Sequence, residues 1–161
     1  MATIDPGWDF DGRAVIVSAY HLRTGPRMLP STTIDEVMTP YPYSIEIDAH
    51  LTTARSMLTQ FGIRHLPVRD GNKWVGVVTE QNLDMAQALG VDLSVSSNVR
   101  IRDLCRHNAH SVGPGALLAQ VLRDMAERSL DSVLVVKDGK LLGIFTATDA
   151  LRRYANVLGG K

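Results

Sequence analysis

Apolar residues follow two rhythms along this chain, and the order of those rhythms occurs twice. The segment Tyr43-Ser44-Ile45-Glu46-Ile47 alternates apolar and polar positions and predicts a short strand. Leu51, Ala54, Leu58 and Phe61 then recur every three or four residues, one apolar stripe of a helix for which Asp48 is the expected cap. Two strands follow, His65-Leu66-Pro67-Val68 and Trp74-Val75-Gly76-Val77-Val78, joined by a turn at Asp70-Gly71-Asn72. A last helix is expected to start near Asn82 and to end at Gly90 as a left-handed cap.

The second half repeats this order. A strand at 109–113 precedes a helix with Leu118, Val121, Leu122 and Met125 on one face. Val133-Leu134-Val135-Val136 and Leu141-Leu142-Gly143-Ile144-Phe145 form a hairpin across Asp138-Gly139, and a helix from near Asp149 closes at Gly159. Thr33 and Glu36 have capping-box spacing ahead of the first unit. Each half is therefore strand–helix–strand–strand–helix, about 55 residues, too small for a comfortable core of its own. Two copies packed sheet to sheet would bury each other's apolar strand faces. The expected division is an N-terminal extension at 1–30, a first repeat at 31–90, a Ser-rich linker at 91–98 and a second repeat at 99–158. In the extension, residues 14–20 could add an edge strand or dock on the repeats.

Composition narrows the function. With 17 basic and 17 acidic residues the formal charge is zero, which argues against a general nucleic-acid binder. The single cysteine, Cys105, rules out an intrachain disulfide and fits a reducing, cytoplasmic setting. The longest apolar run, near 14–20, spans about seven residues against the roughly 20 of a membrane helix. No Walker A run, GxGxxG run or nucleophile–base pattern stands out, so no catalytic residues and no enzyme activity are expected. Cys105, His107 and His110 have a metal-like spacing but no fourth ligand nearby, so surface and strand residues are the expected account and no metal is assigned.

One arrangement carries chemistry in both halves. Gly76, Thr79 and Asn82 in the first match Gly143, Thr146 and Asp149 in the second, 67 positions on. A glycine within a strand allows close approach to the backbone. The threonine stands where strand becomes helix, beside unpaired N–H groups suited to an anion. An aspartate at the helix start can take the two hydroxyls of a ribose. The competing reading is that Thr and Asp there are merely helix caps.

Taken together, Val37-Met38-Thr39-Pro40, residues 62–68, Gly76-Val77-Val78-Thr79 and residues 143–149, in this order within a duplicated chain, resemble the tandem CBS-domain pair, or Bateman module, over about 34–158. The resemblance implies an α/β (α+β) fold of two β-α-β-β-α repeats related by a pseudo-twofold axis, with a cleft on each side. It implies a regulatory ligand of adenosine type (AMP, ADP, ATP or S-adenosylmethionine), frequent homodimers, and output to a separate effector protein. Carried onto this chain, it makes Thr146, Thr148 and Asp149 the ribose side of one cleft. Thr39, Ser44, Ile63, Arg64 and His65 come from the first repeat, with Ile144 beneath the base. The opposite cleft, at Asn82, would borrow Cys105 and His110, and a bulky His110 would fill it. Asp131 departs from the family pattern by placing a carboxylate near the phosphates, compensated by Arg64, Arg152 and Arg153. The alternative is a ligand-free dimerisation or interaction module whose clefts are filled by its own side chains.

Overall fold

The computed structural model describes residues 31–93, 98–105 and 109–159, with the backbone of two short strands, β1 (Gly7–Trp8) and β2 (Ala14–Val15). These two pair antiparallel in a sheet of their own; the rest of the expected edge strand at 14–20 lies outside the described residues.

The first repeat follows the expected order, β4 (Ile45–Glu46), α1 (Leu51–Phe61), β5 (His65–Asp70), β6 (Lys73–Thr79) and α2 (Glu80–Ala88). The second is β7 (Ser111–Val112), α3 (Leu118–Glu127), β8 (Ser132–Lys137), β9 (Lys140–Thr146) and α4 (Ala147–Leu158). In each, the opening strand is parallel to the next and the hairpin is antiparallel. Ile45 pairs with Val68 and Val112 with Val135, so the repeats superpose at a constant offset of 67. At the tip of the second hairpin Asp138 (φ 50°) and Gly139 (φ 76°) both take the left-handed conformation that a two-residue turn joining twisted strands requires.

Several boundaries differ from expectation. Each opening strand is only two residues long, although Ile47 N–H still donates to Arg69 O and Leu134 N–H to His110 O just outside them. Asp48 does not cap α1; His50 holds that position without a side-chain bond, and Asp48 pairs with Arg102. Thr79 and Thr146 cap α2 and α4, so Asn82 and Asp149 sit at the third helical position. Gly90 takes the left-handed backbone at φ 89°, but Gly159 lies at φ −81° and does not.

Each core draws residues from the other repeat. Ile45, Leu51, Ala54, Leu58, Leu66, Val68, Val78 and Leu83 pack together in the first repeat, joined by Ile101 from the opening turn of the second. Ile34 and Val37, from the opening turn of the first, pack with Leu118, Val121, Met125, Val133, Val135 and Phe145 of the second. Backbone bonds fix the exchange: Ile101 N–H donates to Ala49 O at 2.9 Å, and Ile34 N–H to Ala116 O at 2.9 Å. The Thr33–Glu36 capping box forms as the spacing predicts, at the entry to this exchanged turn. Strand β3 (Thr39–Pro40) then adds to the edge of the second repeat's sheet, giving the order β3-β9-β8-β7 beside a three-stranded β4-β5-β6. The pair is an α+β fold of two intertwined β-α-β-β-α repeats.

Gly143 has a local reason. A Cβ there would lie 2.2 Å from Met38 Sδ and 2.9 Å from the Thr39 carbonyl oxygen. The close approach foreseen for this glycine is thus made by β3 crossing from the other repeat, in register Pro40 to Gly143.

Candidate functional site

Helix α4 begins at a strand-to-helix corner whose polar atoms satisfy one another. Thr146 Oγ1 accepts from Asp149 N–H at 3.2 Å and donates to Asp149 Oδ2 at 2.7 Å, while Thr146 N–H donates to the same Oδ2 at 3.0 Å. The capping role weighed against ligand binding is therefore real. It occupies one carboxylate oxygen. The other, Oδ1, stands 3.6 Å from Arg152 Nη1, on a side chain one-fifth exposed. A carboxylate has lone pairs enough for both tasks.

At the equivalent corner, Thr79 Oγ1 accepts from Asn82 N–H and Asn82 Oδ1 accepts from Thr79 N–H, each at 3.1 Å. The cap engages its one carbonyl oxygen, which keeps a single further lone pair, and the other side-chain atom is an amide N–H₂ donor. Asn82 therefore offers a vicinal diol a weaker, neutral acceptor than the second oxygen of a carboxylate.

The Asp149 cleft gathers residues of both repeats. Arg64 Nη2 donates to Thr148 Oγ1 at 3.2 Å, from the end of the first repeat's helix–strand loop to the first turn of α4. His65 is half-buried; burial first, then the Arg64 charge, push its pKa below the usual 6.5, while Asp131 and Asp149 pull it back up. The imidazole is therefore neutral near pH 7 and able to donate or accept. Asp131 belongs to the same neighbourhood, its carbonyl taking the first N–H of α4, from Ala147, at 2.9 Å. Thr39 and Asp149 line a groove of about 480 Å³ with Val37, Arg152, Arg153 and Asn156. Thr39 lies opposite Ile144 across β3 and β9.

Three expected residues sit apart. Ser44 lines a different groove, of about 570 Å³, between the hairpin tips. Ile144 is 5% exposed and Ile63 packs against the first core, so each offers at most an edge to a ring. Sequence reasoning gave Asn156 no part and Arg152 only an auxiliary one. Their signal was present, since 149, 152, 153 and 156 fall on one face of a helix.

The opposite cleft also needs correction. The offset of 67 matches His110 to Tyr43 and Cys105 to Met38, not to Ser44 and Thr39. Ser111 is the true counterpart of Ser44; that of Thr39, residue 106, lies outside the described residues. Tyr43 stacks on Phe61 with ring centroids 3.9 Å apart, and at the matching place His110 Nδ1 meets Arg128 Nη1 at 2.7 Å. His110 therefore lines its own repeat's helix end. Cys105 packs against the first core, where burial pushes its thiol pKa up, and His107 lies outside the described residues. Among the described residues no group of three His, Cys, Asp or Glu side chains could hold a metal ion, and no helix is long and apolar enough to cross a membrane.

Comparison with known proteins gives a consistent picture. The CBS domain matches residues 34–88 and again 101–156. An inosine-5'-monophosphate dehydrogenase from Korarchaeum cryptofilum (strain OPF8) is 29% identical over 104 residues, 64% of this chain but 20% of that protein, so the chain spans about a fifth of its length. The CBS domain pair of protein MJ0100, solved with 5-methylthioadenosine and S-adenosyl-L-methionine, superposes with a TM-score of 0.68 at 23% identity, over 82% of this chain and 100% of that one. CBSX2 in complex with AMP gives a TM-score of 0.61 at 26% identity, over 78% and 98%.

Proposed function

The chain belongs to the CBS domain family as a tandem pair, and from that premise we propose that it is a regulatory module sensing an adenosine-type ligand in the Asp149 cleft. The observation that carries this reading is Oδ1 of Asp149, which the helix cap leaves unused and which the exposed Arg152 approaches only at 3.6 Å. It leaves one carboxylate oxygen for a ribose at a helix N-terminus, where the other repeat offers only an amide. Ribose hydroxyls donate to Oδ1 and release Arg152 toward the ligand's tail. Thr39 and His65 face the base, with the edges of Ile63 and Ile144 beside it. Arg64 and Thr148 stand where a phosphate or other polar tail would leave. The complex of CBSX2 with AMP supports the ligand class.

Charge refines it. Asp131 and Asp149 both act on His65, and their carboxylates oppose a multiply charged tail at close range. AMP or a sulfonium such as S-adenosylmethionine fits this cleft better than ATP. The module regulates rather than catalyses, and passes the ligand's differential affinity for two arrangements of the repeats to a separate effector protein. It works as a homodimer in the cytoplasm. Leu151, Tyr154 and Leu158 of α4 and Met85 of α2 are more than half exposed, and a second copy would cover them.

Calorimetric titration tests the reading. AMP or S-adenosylmethionine should bind tighter than about millimolar, roughly −4 kcal/mol. Asp149→Ala should weaken binding at least about tenfold, or about 1.4 kcal/mol, and Asn82→Ala should not. Equal effects of the two would overturn the choice of cleft; no binding would overturn the ligand class.

One observation favours the alternative of a ligand-free interaction module: Arg64 already spans the cleft to Thr148. Under that reading the purified protein carries no purine, and Arg64→Ala lowers stability without changing any affinity.

A further inference from the structure

A second groove lies at the opposite end of β9 from Asp149. It measures about 570 Å³ and is formed by both hairpin tips and the strap after β3. That volume is within the roughly 300–1,000 Å³ of small-molecule sites. Three features distinguish it from a gap between loops. Trp74 is pinned, its indole Nε1–H donating to Gly139 O of the other repeat at 3.0 Å, so the ring is held in place at the wall. Tyr41 at the rim is 85% exposed yet held at φ 49°. A bulky residue rarely takes that left-handed conformation, least of all before a proline, and strain of this kind gathers at ligand clamps. Arg69 is fixed by Glu46, to which its Nε donates at 2.8 Å, whereas Lys140 has no ion-pair partner among the described residues. The offset of 67 replaces Arg69 with Val136 and Trp74 with Leu141, so the second repeat does not duplicate this aromatic and cationic pair.

We propose that this groove is a second ligand site, independent of the Asp149 cleft, for a planar ring bearing an anionic group. The ring stacks on Trp74 under Tyr41, and the anion meets Lys140. An occupant touches both hairpins at once and so shares control of the tilt between the repeats.

The indole N–H of Trp74 reports directly. The chain has two tryptophans, so Trp8→Phe leaves a single indole signal in a ¹⁵N–¹H correlation spectrum. Titration with 4-hydroxybenzoate and with AMP should move that signal saturably for at least one of them. Lys140→Glu should weaken the effect at least about tenfold, while Asp149→Ala should leave it unchanged. No saturable shift up to about 10 mM with either probe would overturn the proposal. So would a shift that disappears in Asp149→Ala, or one that Lys140→Glu does not weaken. Neither result bears on adenosine binding at Asp149, which calorimetry reads separately.

Discussion

Thr146 and Asp149 hold one another before any ligand arrives, so substitutions there have two separable effects. Thr146→Ala removes the cap of α4 and should cost about 1 kcal/mol in a urea melt. Asp149→Asn keeps an acceptor for the cap, as Asn82 does, yet should lose ligand affinity. Gly143→Ala should destabilise by about 1–3 kcal/mol, because its methyl meets both Met38 and the immovable Thr39 carbonyl; Met38→Ala should restore only part of this. His65 makes stability depend on pH. Its folded-state pKa lies below 6.5, so the unfolded chain takes the proton first and stability falls as pH drops from 6.5 toward the folded value. Thermal melts from about pH 7.5 to 5.5 should show a smaller loss in His65→Gln. The identity of the key residues was legible, since a Gly-x-x-Thr-x-x-Asp run names its own cap. What each atom of Asp149 does was not, because cap and ligand ask for the same residue type and differ only in which oxygen is left over.

Helices and hairpins were legible for a simple reason: Leu51, Ala54 and Leu58, or Val133 and Val135, carry their period in neighbouring positions. The exchange of opening turns left no such trace. Beyond the turn it shares with Val37, the core partners of Ile34 are residues more than 80 positions away. Ile34→Ala should therefore destabilise the second repeat, by about 2–5 kcal/mol, although it precedes the first. Hydrogen exchange at β8 and β9 reads this directly, and faster exchange confined to β5 and β6 would refute it. The exposure of α4 was equally hidden in the pattern. Leu83 and Ala86 of α2 are buried, but their counterparts are Ala150 and Arg153, so α4 buries no residue fully and turns Leu151, Tyr154 and Leu158 outward. Tyr154→Glu should shift sedimentation toward a monomer without lowering the melting temperature.

At the scale of the whole molecule, intertwining ties the two clefts to one mechanical unit. Neither core is complete without the other repeat's turn, so urea unfolding should be a single transition, and residues 41–93 alone should not fold. Tandem organisation, and the offset of 67 at the Gly-x-x-Thr run, could be read from the repeated pattern. That the same offset holds back to the opening strands emerged only from strand pairing, and it shows that Cys105 and His110 are not the counterparts of Thr39 and Ser44. The central claim is that a nucleoside lies between the repeats with its sugar on Oδ1 of Asp149, in place of Arg152. A crystal structure of the protein grown with AMP or S-adenosylmethionine tests it most directly. The account predicts density for a ribose within hydrogen-bonding reach of Asp149 Oδ1, with the purine toward Thr39 and His65. A ligand seated at Asn82, or a cleft still bridged by Arg64 and Thr148 at saturating ligand, would contradict it.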